Sequence, residues 1–155
     1  MFHNGRSANP RIRMAPMGMS NVIGGNIWPG FGGASRVMPK LAPHLKAYLP
    51  DIVGCHPGTI NVFIIHGVIS IRVPDIATPP IEWKPNHHER FALTRINFEF
   101  PLDAPSTKAW ILTPERTPHK FNASMIEVVT IKLEGIAPGL PCRIHTDRDI
   151  YWSQT

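Results

Sequence analysis

Three stretches of this sequence carry groups suited to phosphate chemistry. The first is the run Pro29-Gly30-Phe31-Gly32-Gly33-Ala34-Ser35. Backbone amides between small residues can surround phosphate oxygens because no side chain blocks the approach. That makes Gly30, Phe31, Gly32, Gly33, Ala34 and Ser35 candidate nucleotide contacts, with Arg36 adding positive potential. The same glycines could equally serve a tight turn, and the run lacks the Lys-Ser/Thr ending of a P-loop. The second stretch is His56-Pro57-Gly58-Thr59-Ile60-Asn61-Val62. Thr59 and Asn61 stand two apart on a strand, so they share a face. Both offer neutral oxygens, which suit a Mg²⁺ ion that keeps most of its waters and its bound phosphates. The plain alternative is a turn in which both side chains bond nearby backbone.

The third stretch is Glu115-Arg116-Thr117-Pro118-His119, followed by Glu127 within Met125-Ile126-Glu127-Val128-Val129. A carboxylate between Ile126 and Val128 faces away from them. If those two enter the core, Glu127 faces solvent or a cleft and can act as a general base. Otherwise it is the polar side of an amphipathic strand, and His119 is a solvated loop histidine. His87-His88-Glu89 reads as loop, since residues adjacent in the chain rarely ligate one ion together.

The elements that must position these groups are short. Strands are expected at Asn21–Trp28, Thr59–Ile65, Val68–Val73, Phe91–Phe100, Trp110–Leu112, Met125–Leu133 and Cys142–His145. Gly67 suggests that the second and third form a hairpin, and the parity change between Leu93 and Ile96 suggests a bulge. Leu41, Leu45 and Leu49 recur every fourth residue, which predicts an amphipathic helix over Met38–Leu49 that starts or breaks near Pro39 and Pro43. Pro74–Pro85 reads as a proline-rich loop. Residues 1–20 read as a flexible basic arm and 21–150 as one mainly β domain, a compact barrel or sandwich with one short helix.

The order of these motifs resembles the archaeal-type CTP-dependent riboflavin kinase family, from about Gly25 to Asp147. Pro57-Gly58-Thr59-Ile60-Asn61-Val62 is the most specific piece, similar to the family's PGTLNV. The resemblance implies a small six-stranded cradle-loop (RIFT-like) β-barrel that transfers the γ-phosphate of CTP to the 5′-hydroxyl of riboflavin, giving FMN and CDP. It implies that Gly30, Gly32, Gly33 and Ala34 wrap the nucleotide phosphates and that Thr59 and Asn61 hold Mg²⁺. It further implies that Thr117 and Glu127 contact the flavin, with Glu127 receiving the hydroxyl proton. Lys132, Leu133, Glu134 and Gly135 fall where the family contacts the cytidine nucleotide. The chain departs from the pattern at Ala34, where the loop's last glycine stands, and at Thr130-Ile131-Lys132-Leu133-Glu134, where an arginine is absent. A kinase of another small hydroxylated molecule and a non-catalytic flavin- or nucleotide-binding barrel are the competing readings.

Composition agrees with a barrel and excludes other classes. Among 155 residues there are 12 glycines and 17 prolines, which excludes a helical bundle, whose interiors reject both. A hydrophobic content of 43% allows a real core. The six basic residues of the first 50 positions face no acid, while the rest of the chain is nearly neutral. Such a basic segment suits a phosphate-bearing partner. Its few aromatics are scattered, so no nucleic acid is expected. No stretch approaches the ~20 apolar residues of a membrane span. Two cysteines and no secretory signal point to reduced thiols in a cytoplasmic protein, expected to be a monomer.

Overall fold

The computed structural model describes residues 12–13, 21–29, 34–65, 67–71, 73–116, 124–147 and 150–154. Its strands are β1 (Ile12–Arg13), β2 (Asn21–Trp28), β3 (Ile60–Ile64), β4 (Gly67–Ile71), β5 (Ile76–Ala77), β6 (Ile81–Lys84), β7 (His87–Glu89), β8 (Phe91–Glu99), β9 (Thr107–Pro114), β10 (Met125–Thr130), β11 (Pro141–Thr146) and β12 (Ile150–Gln154). One α-helix, α1 (Ala34–Leu45), and a 3-10 turn over Pro50–Gly54 lie between β2 and β3. The strands β11, β2, β3, β10, β9 and β8 pair antiparallel in that order, and β8 pairs with β11 to close the ring. Among the described residues the protein is a six-stranded antiparallel β-barrel with one short helix, as the sequence leads one to expect.

Two cores explain the pattern of the strands. Ile23, Ile27, Val62, Ile64, Phe98, Ile111, Val128 and Ile144 fill the barrel. A second cluster lies outside its wall, where Met38, Leu41 and Leu45 of α1 meet Leu93, Trp110, Leu112 and Val129. Central wall strands are therefore apolar on both faces. In β9, Ala109 and Ile111 point into the barrel while Trp110 and Leu112 point toward the helix. The parity change in β8 has the same origin. Phe91 and Leu93 belong to the outer cluster, Ile96 and Phe98 to the inner one. The register of β8 with β9 runs unbroken from Phe91–Pro114 to Phe98–Thr107, so there is no bulge.

Other expectations are corrected. The helix lies four residues earlier than Met38–Leu49, because Pro50 drives Leu49 out of the helical region, to φ −136° and ψ 86°. Leu49 still buries its side chain against the same cluster. Pro39 and Pro43 stay inside the helix on its exposed face. No β3–β4 hairpin forms: both edges of β3 are taken by β2 and β10, and β4 pairs instead with β12. The proline-rich segment contains β5 and β6, with Ile81 buried, and His87–Glu89 is a strand paired with β6. The domain read as 21–150 extends further, since β12 runs to Gln154 and pairs with Ile12 and Arg13 of the segment read as an arm. Met125–Leu133 ends as a strand at Thr130.

Candidate functional site

The antiparallel registers place Trp28, Asn61, Glu127, Leu112 and Leu93 side by side on neighbouring strands. Partners in a sheet share a face, here the outer one, because Ile126 and Val128 belong to the barrel interior. Glu127 therefore points away from the core, as its flanking residues predict, into a cavity of about 660 Å³. That volume lies in the ordinary range for small-molecule sites. Helix α1 contributes Val37, Met38 and Leu41 to its wall, and the segment after β10 contributes Ile131, Lys132, Leu133, Ile136 and Pro138.

The turn before β3 is held from two sides. The His56 N–H donates to the Thr130 carbonyl at 2.8 Å, and the Gly58 N–H donates to the His56 carbonyl at 2.8 Å. The Pro-Gly turn is thus pinned to the end of β10, which carries Glu127. Thr59 follows directly, and its Oγ1 donates to Glu127 Oε1 at 3.2 Å across 68 positions of sequence. Asn61, on the adjacent rung position, is 8% exposed, and its Oδ1 is buried without a partner. A buried acceptor left unpaired costs roughly 1–3 kcal/mol.

Those oxygens fit a hard cation. Asn61 Oδ1 needs a partner, Thr59 Oγ1 retains lone pairs while donating to Glu127, and Glu127 supplies nearby negative charge. Among the described residues no group of three or more His, Cys, Asp or Glu is placed to hold a metal. The donors gathered here are oxygens alone, two of them neutral, the type that a hard cation takes.

Burial raises the affinity of the Glu127 carboxyl for a proton; the Thr59 hydroxyl partly offsets this, and the Glu89 carboxylate adds to it. A carboxylate shifted upward is a better proton acceptor near neutral pH than an exposed one. Glu89 itself is buried and accepts the Arg116 N–H through Oε1 at 2.7 Å.

Of the sequence-derived site residues, the fold brings Thr59, Asn61, Glu127, Lys132 and Leu133 to one cavity. Glu134 and Gly135 are exposed and do not line it. Gly30, Phe31, Gly32, Gly33 and Thr117 lie outside the described residues, as do the side chains of Ala34 and Ser35, whose backbone opens α1. Sequence reasoning missed Trp28, His56, Trp83, His87, Glu89 and Arg116, which share the lining. A signal existed for some of them: His87, Glu89 and Phe91 alternate, so a strand there puts all three on one face. Trp83 stacks edgewise on His87, with ring centroids 5.2 Å apart. No protein-family model matches the sequence, and neither does any curated protein.

Proposed function

We propose that the protein is a phosphotransferase of the riboflavin kinase type, moving the γ-phosphate of a nucleoside triphosphate, CTP in the first instance, to the 5′-hydroxyl of riboflavin. One observation carries this reading: Thr59, Asn61 and Glu127, far apart in sequence, converge on one cavity with Thr59 bonded to Glu127. In this reaction the protein must align the two substrates, offset phosphate charge and accept one proton. Glu127 takes the proton from the acceptor hydroxyl as its oxygen bonds to the γ-phosphorus. The bond from that phosphorus to the β,γ-bridging oxygen breaks, releasing the nucleoside diphosphate and FMN. Thr59 keeps the Glu127 carboxyl oriented through its hydroxyl. Thr59 Oγ1 and Asn61 Oδ1 are the protein oxygens that would hold Mg²⁺, which would neutralise charge on the phosphate oxygens. Val37, Met38 and Leu41 would give the transferring group an apolar wall. No helix among the described residues is long and apolar enough to cross a membrane.

The test is chromatographic detection of FMN after incubation with riboflavin, Mg²⁺ and either CTP or ATP. FMN formation is expected, and its absence with both nucleotides rejects the reaction.

A further inference from the structure

Trp28 is 49% exposed, yet it lines the cavity instead of lying on open surface. Its ring centroid sits 5.4 Å from that of Phe63 at 36°, so one flank is held while the rest stays open. An aromatic ring fixed on one side at the mouth of a cavity is a stacking platform for another planar ring. The rung order says which ring. Trp28 neighbours Asn61, and Asn61 neighbours Glu127. On the kinase reading, on which this step rests, the acceptor hydroxyl lies at Glu127 and the phosphates at Thr59 and Asn61. In-line transfer then sends the rest of the donor away from Glu127, toward Trp28.

We infer that the donor's nucleobase stacks on Trp28, and that the site consequently takes ATP at least as well as CTP. Stacking tolerates any base, since every base has a π-face, and it favours the larger purine ring. Pro29, Ile131, Ile136 and Pro138 add apolar surface to the lining, and Lys132, the charged side chain that the same segment contributes, is a donor only and meets an acceptor on either base. The segment holding Ile131, Ile136 and Pro138 is tied to β2 beside Trp28, through Gly139 N–H to Ile27 O at 2.7 Å and Ile27 N–H to Leu140 O at 2.8 Å.

Calorimetric titration of ATP, CTP, riboflavin and inorganic tripolyphosphate with Mg²⁺ tests this on the full chain and on Trp28→Ala and Trp28→Phe. Both nucleotides are expected to bind the native chain more tightly than tripolyphosphate, with ATP at least equal to CTP. Trp28→Ala should weaken both nucleotides by about ten-fold or more and leave tripolyphosphate unchanged, and Trp28→Phe should recover most of the loss. Unchanged nucleotide affinity in Trp28→Ala overturns the inference. So does a native preference for CTP over ATP of ten-fold, or a loss confined to riboflavin, which would put the acceptor's ring on Trp28. FMN formation is scored separately. If Trp28→Ala loses nucleotide binding while no FMN forms on the native chain, the riboflavin reaction falls and the stack stands; if neither nucleotide binds the native chain, both fall.

Discussion

Glu99 and Glu127 are both carboxylates on barrel strands, and the fold treats them in opposite ways. Glu99, at the end of β8, is surrounded by donors. Its Oε2 accepts the Asp103 N–H at 3.0 Å and Arg143 Nη1 at 2.7 Å, and its Oε1 lies 2.7 Å from His145 Nε2. Those contacts, the Asp103 N–H foremost, hold its carboxyl at about 2. Glu127 has the Thr59 hydroxyl and a second carboxylate, Glu89, and burial pushes it upward. A fully satisfied charge cross-links strands β8 and β11; a poorly satisfied one faces the cavity and holds a proton more readily. Donor supply, not burial alone, separates the carboxylate held ionised from the one pushed toward its neutral form.

The largest expected effect is on Glu127. Glu127→Gln should lower FMN formation by about 10²-fold or more, the usual share of a positioned base. Its effect on stability has the opposite sign. A carboxyl whose folded pKa lies above its unfolded value stabilises the fold at low pH, and that contribution is lost as pH rises through the folded pKa. Glu127→Gln should therefore melt at or above the native temperature at pH 7, and a large drop there would break the contrast with Glu99.

Glu99→Gln should do the reverse: a lower melting temperature and unchanged turnover per folded molecule. Here the folded pKa is depressed, so the stabilisation is full above the ordinary carboxylate value of 4.5 and disappears as pH falls toward 2. Melting curves across that window should be steep for the native chain and flatter for Glu99→Gln. Parallel curves would show that Glu99 is not the acid-sensitive link.

Two substitutions sharpen the Glu127 side without removing it. Thr59→Val deletes the hydroxyl that lowers its pKa, so the acidic limb of the kcat/KM–pH profile should move to higher pH. Glu89→Gln deletes the charge that raises it while keeping an acceptor for the Arg116 N–H, so the limb should move to lower pH. Shifts of the same sign in both would refute this account. The smallest effect is expected at Lys108, whose Nζ meets Asp51 Oδ2 at 2.7 Å with both side chains about half exposed. Lys108→Ala should change stability by no more than about 1 kcal/mol, because water screens such a pair.

Much of this was legible in the chain. Thr59 and Asn61 follow a Pro-Gly turn into an apolar run, and Glu127 stands alone between Ile126 and Val128, so period-two alternation alone sets their faces. The spacing of Leu41 and Leu45 marks the buried side of the helix. Other features were hidden for identifiable reasons. The proline content of 74–85 conceals β5 and β6, which are short and at edges where a missing N–H costs little. His87 and Glu89 looked like a polar loop because their burial depends on Arg116 and Trp83, supplied by other segments. The pairing of β4 with β12 is invisible locally, since proximity in sequence favours a hairpin with β3.

By itself, then, the sequence determined which side of each strand is apolar, where turns interrupt the chain, and which residue types could bind a cation or take a proton. Those are local properties, governed by backbone periodicity and by the conformational limits of Gly and Pro. Tertiary structure decided which strands are neighbours, and therefore that Trp28, Asn61 and Glu127 stand in one row while Glu99 meets Arg143 and His145. A strand has two edges and many partners of equal local merit, so pairing is chosen by closure of the barrel and by burial of both faces of its wall. The opposite protonation tendencies of Glu99 and Glu127 follow from that choice, because each depends on what the neighbouring strands bring within hydrogen-bonding distance.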